Sequence, residues 1–183
     1  MINVAASLPD RPTTSQASRA TGSTARQAWG LAGWFAATFV AAGAGAVASA
    51  RAGAFYGQLV RPEWAPPPWL FGPVWSVLYV LIAVAAWRVW RVQTADRARP
   101  ALALFVVQLA ANGLWPWVFF VWHRGGLAMA EIAVLWCLVA ATVLAFSRLD
   151  RLAAALMLPY LAWVSFASAL TWSLWRLNPV LLG

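Results

Sequence analysis

Five apolar runs of about 20 residues each, at 29–50, 71–90, 101–122, 127–146 and 152–175, alternate with short polar stretches. At about 1.5 Å rise per residue, each run is long enough to cross a hydrocarbon core of roughly 30 Å as a helix. None shows the strict apolar/polar alternation of a membrane β-strand. The pattern predicts an all-α integral membrane protein, a five-transmembrane-helix bundle spanning 29–178. Residues 1–28 are rich in Ser, Thr, Ala and Arg and carry Pro9 and Pro12. They hold too little apolar surface for a core and are predicted to be a disordered tail. They also lack the apolar stretch and cleavage site of a signal peptide. Residues 179–183 read as a short C-terminal tail. Three connections are short, at 91–100, 123–126 and 147–151. The first, 51–70, is long and carries Pro62, Pro66, Pro67 and Pro68 together with Phe55, Tyr56, Trp64 and Trp69. Backbone this irregular does not sit in lipid, so it should pack across the helix ends as a lid.

Composition excludes a soluble domain: 63% of residues are hydrophobic and 10% charged, against roughly 25% charged in ordinary globular proteins. All 13 basic residues are arginines, and the net charge is +8. They flank the apolar runs instead of forming one basic face, which argues for contact with anionic headgroups and against nucleic acid. Nine of them, Arg11, Arg19, Arg26, Arg88, Arg91, Arg97, Arg99, Arg148 and Arg151, fall on one side of the expected topology. Four, Arg51, Arg61, Arg124 and Arg176, fall on the other. This bias predicts a cytoplasmic N-terminus and an external C-terminus. The single cysteine, Cys137, reads as a small buried hydrophobe and excludes an intrachain disulfide and a Cys-based metal site.

Acid–base and nucleophilic constellations are missing, so no catalytic or metal-ligating set is assigned. The one histidine, His123, lies in a short loop. Asp10, Glu63, Asp96 and Asp150 lie in the tail or loops, and Glu131 about one turn into the fourth span. Of 14 tryptophans, Trp29, Trp34, Trp87, Trp90, Trp122 and Trp175 sit near span ends, as an interfacial belt requires. Trp75, Trp115 and Trp163 lie deeper, where packing and ligand contact are both open. Helical spacing puts Gln108, Asn112 and Trp115 on one face of the third span. It groups Phe71, Trp75, Leu78 and Tyr79 on the second, and Tyr160, Trp163, Ala167, Leu170 and Thr171 on the fifth. The two amides should point into the bundle, because an unpaired amide facing lipid is costly. Interhelical bonding and ligand contact remain open for them. Ala41, Gly45 and Ser49 form a small-residue ridge on the first span, suited to close packing inside the bundle or between protomers.

Three blocks give the chain a recognisable signature: Arg61-Pro-Glu-Trp-Ala-Pro-Pro followed by Phe71-Gly-Pro-Val-Trp-Ser-Val-Leu-Tyr79; Leu104-Phe-Val-Val-Gln-Leu-Ala-Ala-Asn112 followed by Trp115-Pro and Phe119-Phe120; and Leu158-Pro-Tyr-Leu-Ala-Trp-Val-Ser-Phe-Ala167 followed by Trp175-Arg-Leu-Asn178. Their order and spacing over about residues 30–178 resemble the TspO/MBR family, the tryptophan-rich sensory proteins of bacteria and the mitochondrial translocator protein. The resemblance implies a five-helix bundle, often dimeric, that binds tetrapyrroles such as protoporphyrin or haem beneath the first loop, with no obligatory cofactor. By the same resemblance Trp75 and Trp163 correspond to the family's two pocket tryptophans. Gln108, Asn112, Trp115, Ala167 and Leu170 match other pocket-facing positions, and Phe71 and Trp64 join them as candidate ligand contacts. Arg51 and Arg61 are available as rim cations for propionate groups. The chain departs from many members in carrying Thr171 after Leu170. It also lacks the tyrosine that the animal cholesterol pattern places before Arg176, which leaves sterol binding open. The expected function is a membrane receptor or sensor for a porphyrin-like ligand, with membrane lipids and a second protomer as partners. Light-dependent porphyrin degradation and tetrapyrrole transport are the alternatives; the lack of an internal repeat counts against transport.

Overall fold

The computed structural model describes residues 14–183, with side chains from residue 24 onward. Its elements are α1 (Thr14–Ala48), α2 (Ala52–Gln58), a 3₁₀ turn (Pro68–Leu70), α3 (Phe71–Val92), α4 (Ala95–Pro116), a π turn (Trp117–Val121), α5 (Gly125–Ser147), α6 (Arg151–Leu177) and α7 (Pro179–Leu182). Five stretches are long and apolar enough to cross a membrane, Thr24–Ala48, Pro68–Val92, Ala95–Val121, Gly125–Ser147 and Arg151–Leu177. The chain is an all-helical, multi-pass membrane protein. Its long helices close a ring in which the neighbours run α1, α3, α6, α5, α4 and back to α1.

The core follows from the inward faces. On α3, Ile82, Ala83, Ala85, Ala86 and Val89 are fully buried, and the alanines let neighbouring helices approach. Phe105 of α4 stacks on Phe146 of α5, centroids 6.0 Å apart, and meets Trp34 of α1 edge-on at 5.8 Å. The ridge on α1 packs within the bundle. A Cβ on Gly113 of α4 would lie 3.4 Å from the Ala41 carbonyl oxygen, and one on Gly45 would lie 3.5 Å from the Pro116 ring. Outward positions such as Val106, Val134, Leu144 and Leu158 are exposed apolar side chains, suited to lipid. Cys137 belongs to this outer surface and is exposed. The inward face of α5 runs through Leu135, Val139 and Thr142, so position 137 points away from the core, correcting its reading as a buried residue.

Three boundaries differ from the expectation. The first helix begins at Thr14 instead of near residue 29. From Thr14 the sequence has no proline before the span and carries Ala17, Ala20, Ala25 and Ala28, so the helix extends toward the N-terminus. Residues 1–13 of the expected tail lie outside the described residues. The loop expected at 91–100 is only Gln93 and Thr94, because α4 starts at Ala95. Good helix formers follow Thr94, and Asp96 in the first turn suits the positive end of the helix dipole. Finally, residues 179–183 are not a free tail. They form α7, with Leu182 only 1% exposed. Trp175 donates from Nε1 to the Gly183 carbonyl at 2.6 Å. A Cβ on Gly125 would collide with the Trp175 ring, so only glycine fits this approach.

At the opposite end of α6, Asp150 caps the helix by accepting from the N–H groups of Leu152 at 2.9 Å and Ala153 at 3.1 Å. The same carboxylate pairs with Arg88 of α3 at 2.9 Å. Burial alone would raise its pKa. The Ala153 and Leu152 N–H groups and the Arg88 guanidinium outweigh that effect and hold it below the usual carboxylate value.

Candidate functional site

A cavity of about 500 Å³ opens where the C-terminal ends of α1, α4 and α6 meet the N-terminal ends of α3 and α5. That volume lies within the roughly 300–1,000 Å³ of small-molecule sites. All five membrane helices contribute, and α2 with the 3₁₀ turn closes it from above. The first loop is therefore the lid that its composition suggests.

The walls are built from the faces that helical spacing singles out. From α3 come Phe71, Trp75 and Tyr79; from α4, Asn112 and Trp115; from α6, Trp163, Ala167 and Leu170. Phe71 and Trp163 meet edge-on at 6.0 Å, which joins α3 to α6 at the upper wall. Trp75 lies 5.3 Å from Tyr79 and 6.0 Å, edge-on, from Tyr160. The Tyr79 hydroxyl donates to Asn112 Oδ1 at 2.7 Å, so the amide both bonds across the bundle and lines the cavity. Thr171 also lines the cavity and donates its hydroxyl to the Ala167 carbonyl at 2.8 Å.

Four candidate residues sit elsewhere. Gln108, one turn from Asn112, is fully buried outside the lining and accepts from the Tyr160 hydroxyl at 3.0 Å through Oε1. The helices have already closed at its depth. Trp64 is half-exposed and packs edge-on against Phe166 at 5.8 Å, on the outer side of the lid. Arg61 does not touch the cavity directly. Its guanidinium lies 5.1 Å above the ring of Tyr56, which does line it. Burial pushes the Tyr56 phenol above its ordinary pKa, and the Arg61 charge offsets part of that. Arg51 is exposed at the start of α2, next to the lining residue Ala52. His123 is outside the lining too, stacked on Phe55 of the lid at 4.1 Å.

Spacing alone did not reveal several lining residues. Phe119 and Phe120 belong to the π turn after Pro116. That proline supplies no N–H and crowds the carbonyl four residues before it, so the helix widens and Trp122 bonds back to Trp117 at 2.9 Å. The turn places Phe119 stacked on Trp115 at 5.1 Å, with Phe120 perpendicular to both. The Trp-Pro-Trp sequence at 115–117 is the signal that could have located it. Phe39, Ala42 and Ala46 of α1 and Tyr56 of α2 complete the walls.

The polar inventory is sparse. Trp115 lines the cavity, and its buried Nε1 has no acceptor among the described residues. Gln108 Nε2 and both oxygens of Glu131 are likewise buried without partners among the described residues. An apolar, aromatic chamber with a few donors suits a flat, largely apolar ligand with polar edges.

Residues 34–176 match the TspO/MBR family. The chain is similar to Protein CrtK of Rhodobacter capsulatus, 41% identical over 147 residues that cover 80% of this chain and 91% of the relative. It is 42% identical to the tryptophan-rich sensory protein of Cereibacter sphaeroides over 68% of this chain and 77% of that one. It is 36% identical to the human translocator protein over 68% of this chain and 75% of the relative. The five-helix bundle, the lidded aromatic cavity and this extended match together establish that the chain belongs to the TspO/MBR family.

Proposed function

We propose that this protein is a membrane receptor whose cavity binds a porphyrin-like tetrapyrrole. One observation carries the reading: Trp75 of α3 and Trp163 of α6 line one chamber beneath the lid. Aromatic walls of that kind offer faces and edges to a flat macrocycle. The macrocycle's propionates would reach the rim, where Arg61 is held on Tyr56 and Arg51 adjoins Ala52. Trp115 Nε1 is a further donor to a polar edge. Protoporphyrin or haem is bound as ligand, not as resident cofactor. The reading includes a cytoplasmic N-terminus, from the arginine bias, and a homodimeric assembly.

The test is a titration of purified protein with protoporphyrin, followed by indole quenching and the Soret band. Trp75→Phe and Trp163→Phe should each raise the dissociation constant by about two- to tenfold, since an aromatic contact contributes about 0.5–1.5 kcal/mol beyond burial. Trp64→Phe, altering a ring outside the lining, should leave it within twofold, about the edge of measurable change. Wild-type affinity in well-folded W75F and W163F would overturn the assignment.

A further inference from the structure

The end of the bundle away from the cavity carries a second cluster of tryptophans, and it is charged. The Trp87 indole donates from Nε1 to the Gln27 carbonyl of α1 at 3.1 Å, and the Arg91 guanidinium lies 4.4 Å over the Trp87 ring. Three residues along α3, Trp90 lies against Gly30, where a Cβ would collide with the ring. Arg26, next to Gln27, places its guanidinium 5.1 Å over Trp90. Neighbouring rings on one helix face thus hold two guanidiniums at the edge of the membrane span.

Both arginines are exposed, and neither pairs with a carboxylate among the described residues. The nearby acid Asp150 is committed to Arg88 and to the α6 cap. A guanidinium held over an indole is attracted through its charge, without a carboxylate, and its N–H groups can form the fork that matches phosphate oxygens. Apolar surface lies alongside: Trp29 is 78% exposed and Val92 48%. From this geometry we infer that Arg26, Trp87, Trp90 and Arg91 form a binding site for the phosphate of an acidic phospholipid, with Trp29 and Val92 against its acyl chains. The occupant is a lipid because the two charges sit at the membrane edge beside exposed apolar side chains. A soluble anion would make no use of those.

The full chain is placed in nanodiscs of phosphatidylcholine containing a minor fraction of phosphatidylglycerol, then released into detergent for native mass spectrometry. Wild type should retain phosphatidylglycerol in preference to phosphatidylcholine. R26Q/R91Q should lose about 10- to 30-fold of that retention, the size expected for two arginines at a membrane surface. R97Q/R99Q removes equal charge from the same end of the bundle and should change it by no more than about twofold. Equal loss in both double variants would mean diffuse attraction and overturn the site, as would undiminished retention in R26Q/R91Q. If R26Q/R91Q does not fold, R26K/R91K decides. It keeps the charge but loses the planar fork, so retention should be intermediate, and wild-type retention would overturn recognition of the phosphate by the guanidinium fork. Displacement of the lipid by millimolar inorganic phosphate would overturn its identity as a lipid site.

Discussion

The side-chain amide of Asn178 pairs with the backbone of Val60, accepting from its N–H at 2.8 Å and donating to its carbonyl at 2.9 Å. The two residues are 118 positions apart. The same amide also donates to the Leu174 carbonyl at 2.8 Å, so the end of α6 grips the lid. Among the described residues, these are the side-chain hydrogen bonds that tie the 51–67 segment to a membrane helix. Aromatic contacts add to these: Phe55 against Phe119, Phe120 and His123, Tyr56 against Phe71, and Trp64 against Phe166.

Asn178→Ala should therefore loosen the lid more than the bundle. A loss of about 0.5–1.5 kcal/mol is expected, because Val60 is 60% exposed and water can take over its N–H and carbonyl. Hydrogen exchange should accelerate in residues 59–67, and bound porphyrin should leave faster. Unchanged exchange there would show that the aromatic contacts alone hold the lid.

The Tyr79–Asn112 bond crosses the bundle at the cavity wall. Asn112→Leu and Tyr79→Phe should each destabilise the protein by roughly 0.6–2 kcal/mol, the range for hydrogen bonds between membrane helices. The double variant should fall short of the sum, because both changes remove one interaction. Strict additivity in a thermal or denaturant series would mean that the two side chains do not depend on each other.

Asp150 predicts a pH dependence. Its folded-state pKa lies below the unfolded value of about 3.9. Its contribution is therefore complete above that unfolded value and is lost as pH falls through the lower, folded one. At neutral pH, Asp150→Ala should cost about 0.5–2 kcal/mol through the lost cap and the stranded Arg88. Melting curves of variant and wild type should converge well below pH 4, at roughly the point where the carboxylate is protonated in both states. A gap that persists in acid would assign the effect to packing.

Orientation is open to a direct test. A reporter after Gly183 should behave as external, and one inserted between Gln93 and Thr94 as cytoplasmic, as the arginine distribution requires. The reverse activities would invert the topology and leave the five spans standing.

Much of this protein is legible in its sequence. Bilayer thickness fixes the length of a spanning helix, so five long apolar runs dictate five helices. The 3.6-residue repeat then groups Phe71, Trp75 and Tyr79, or Trp163, Ala167 and Leu170, on single faces before any partner helix is known. The three signature blocks carry the family. Depth and neighbourhood are different in kind, because they depend on residues far apart in the chain. Gln108 and Asn112 share one face of α4, yet only Asn112 lines the cavity, because the surrounding helices close between their levels. Trp64 sits in the most recognisable block and still faces outward, since the lid's path is set by Asn178 and by the bond from the Tyr56 hydroxyl to the Pro66 carbonyl. The π turn that carries Phe119 and Phe120 into the wall needs a proline within the span, and its direction is set by packing against Trp115. Periodicity determines which way a side chain points from its own helix; only the packed ring of helices decides whether it meets a cavity, a neighbour or lipid.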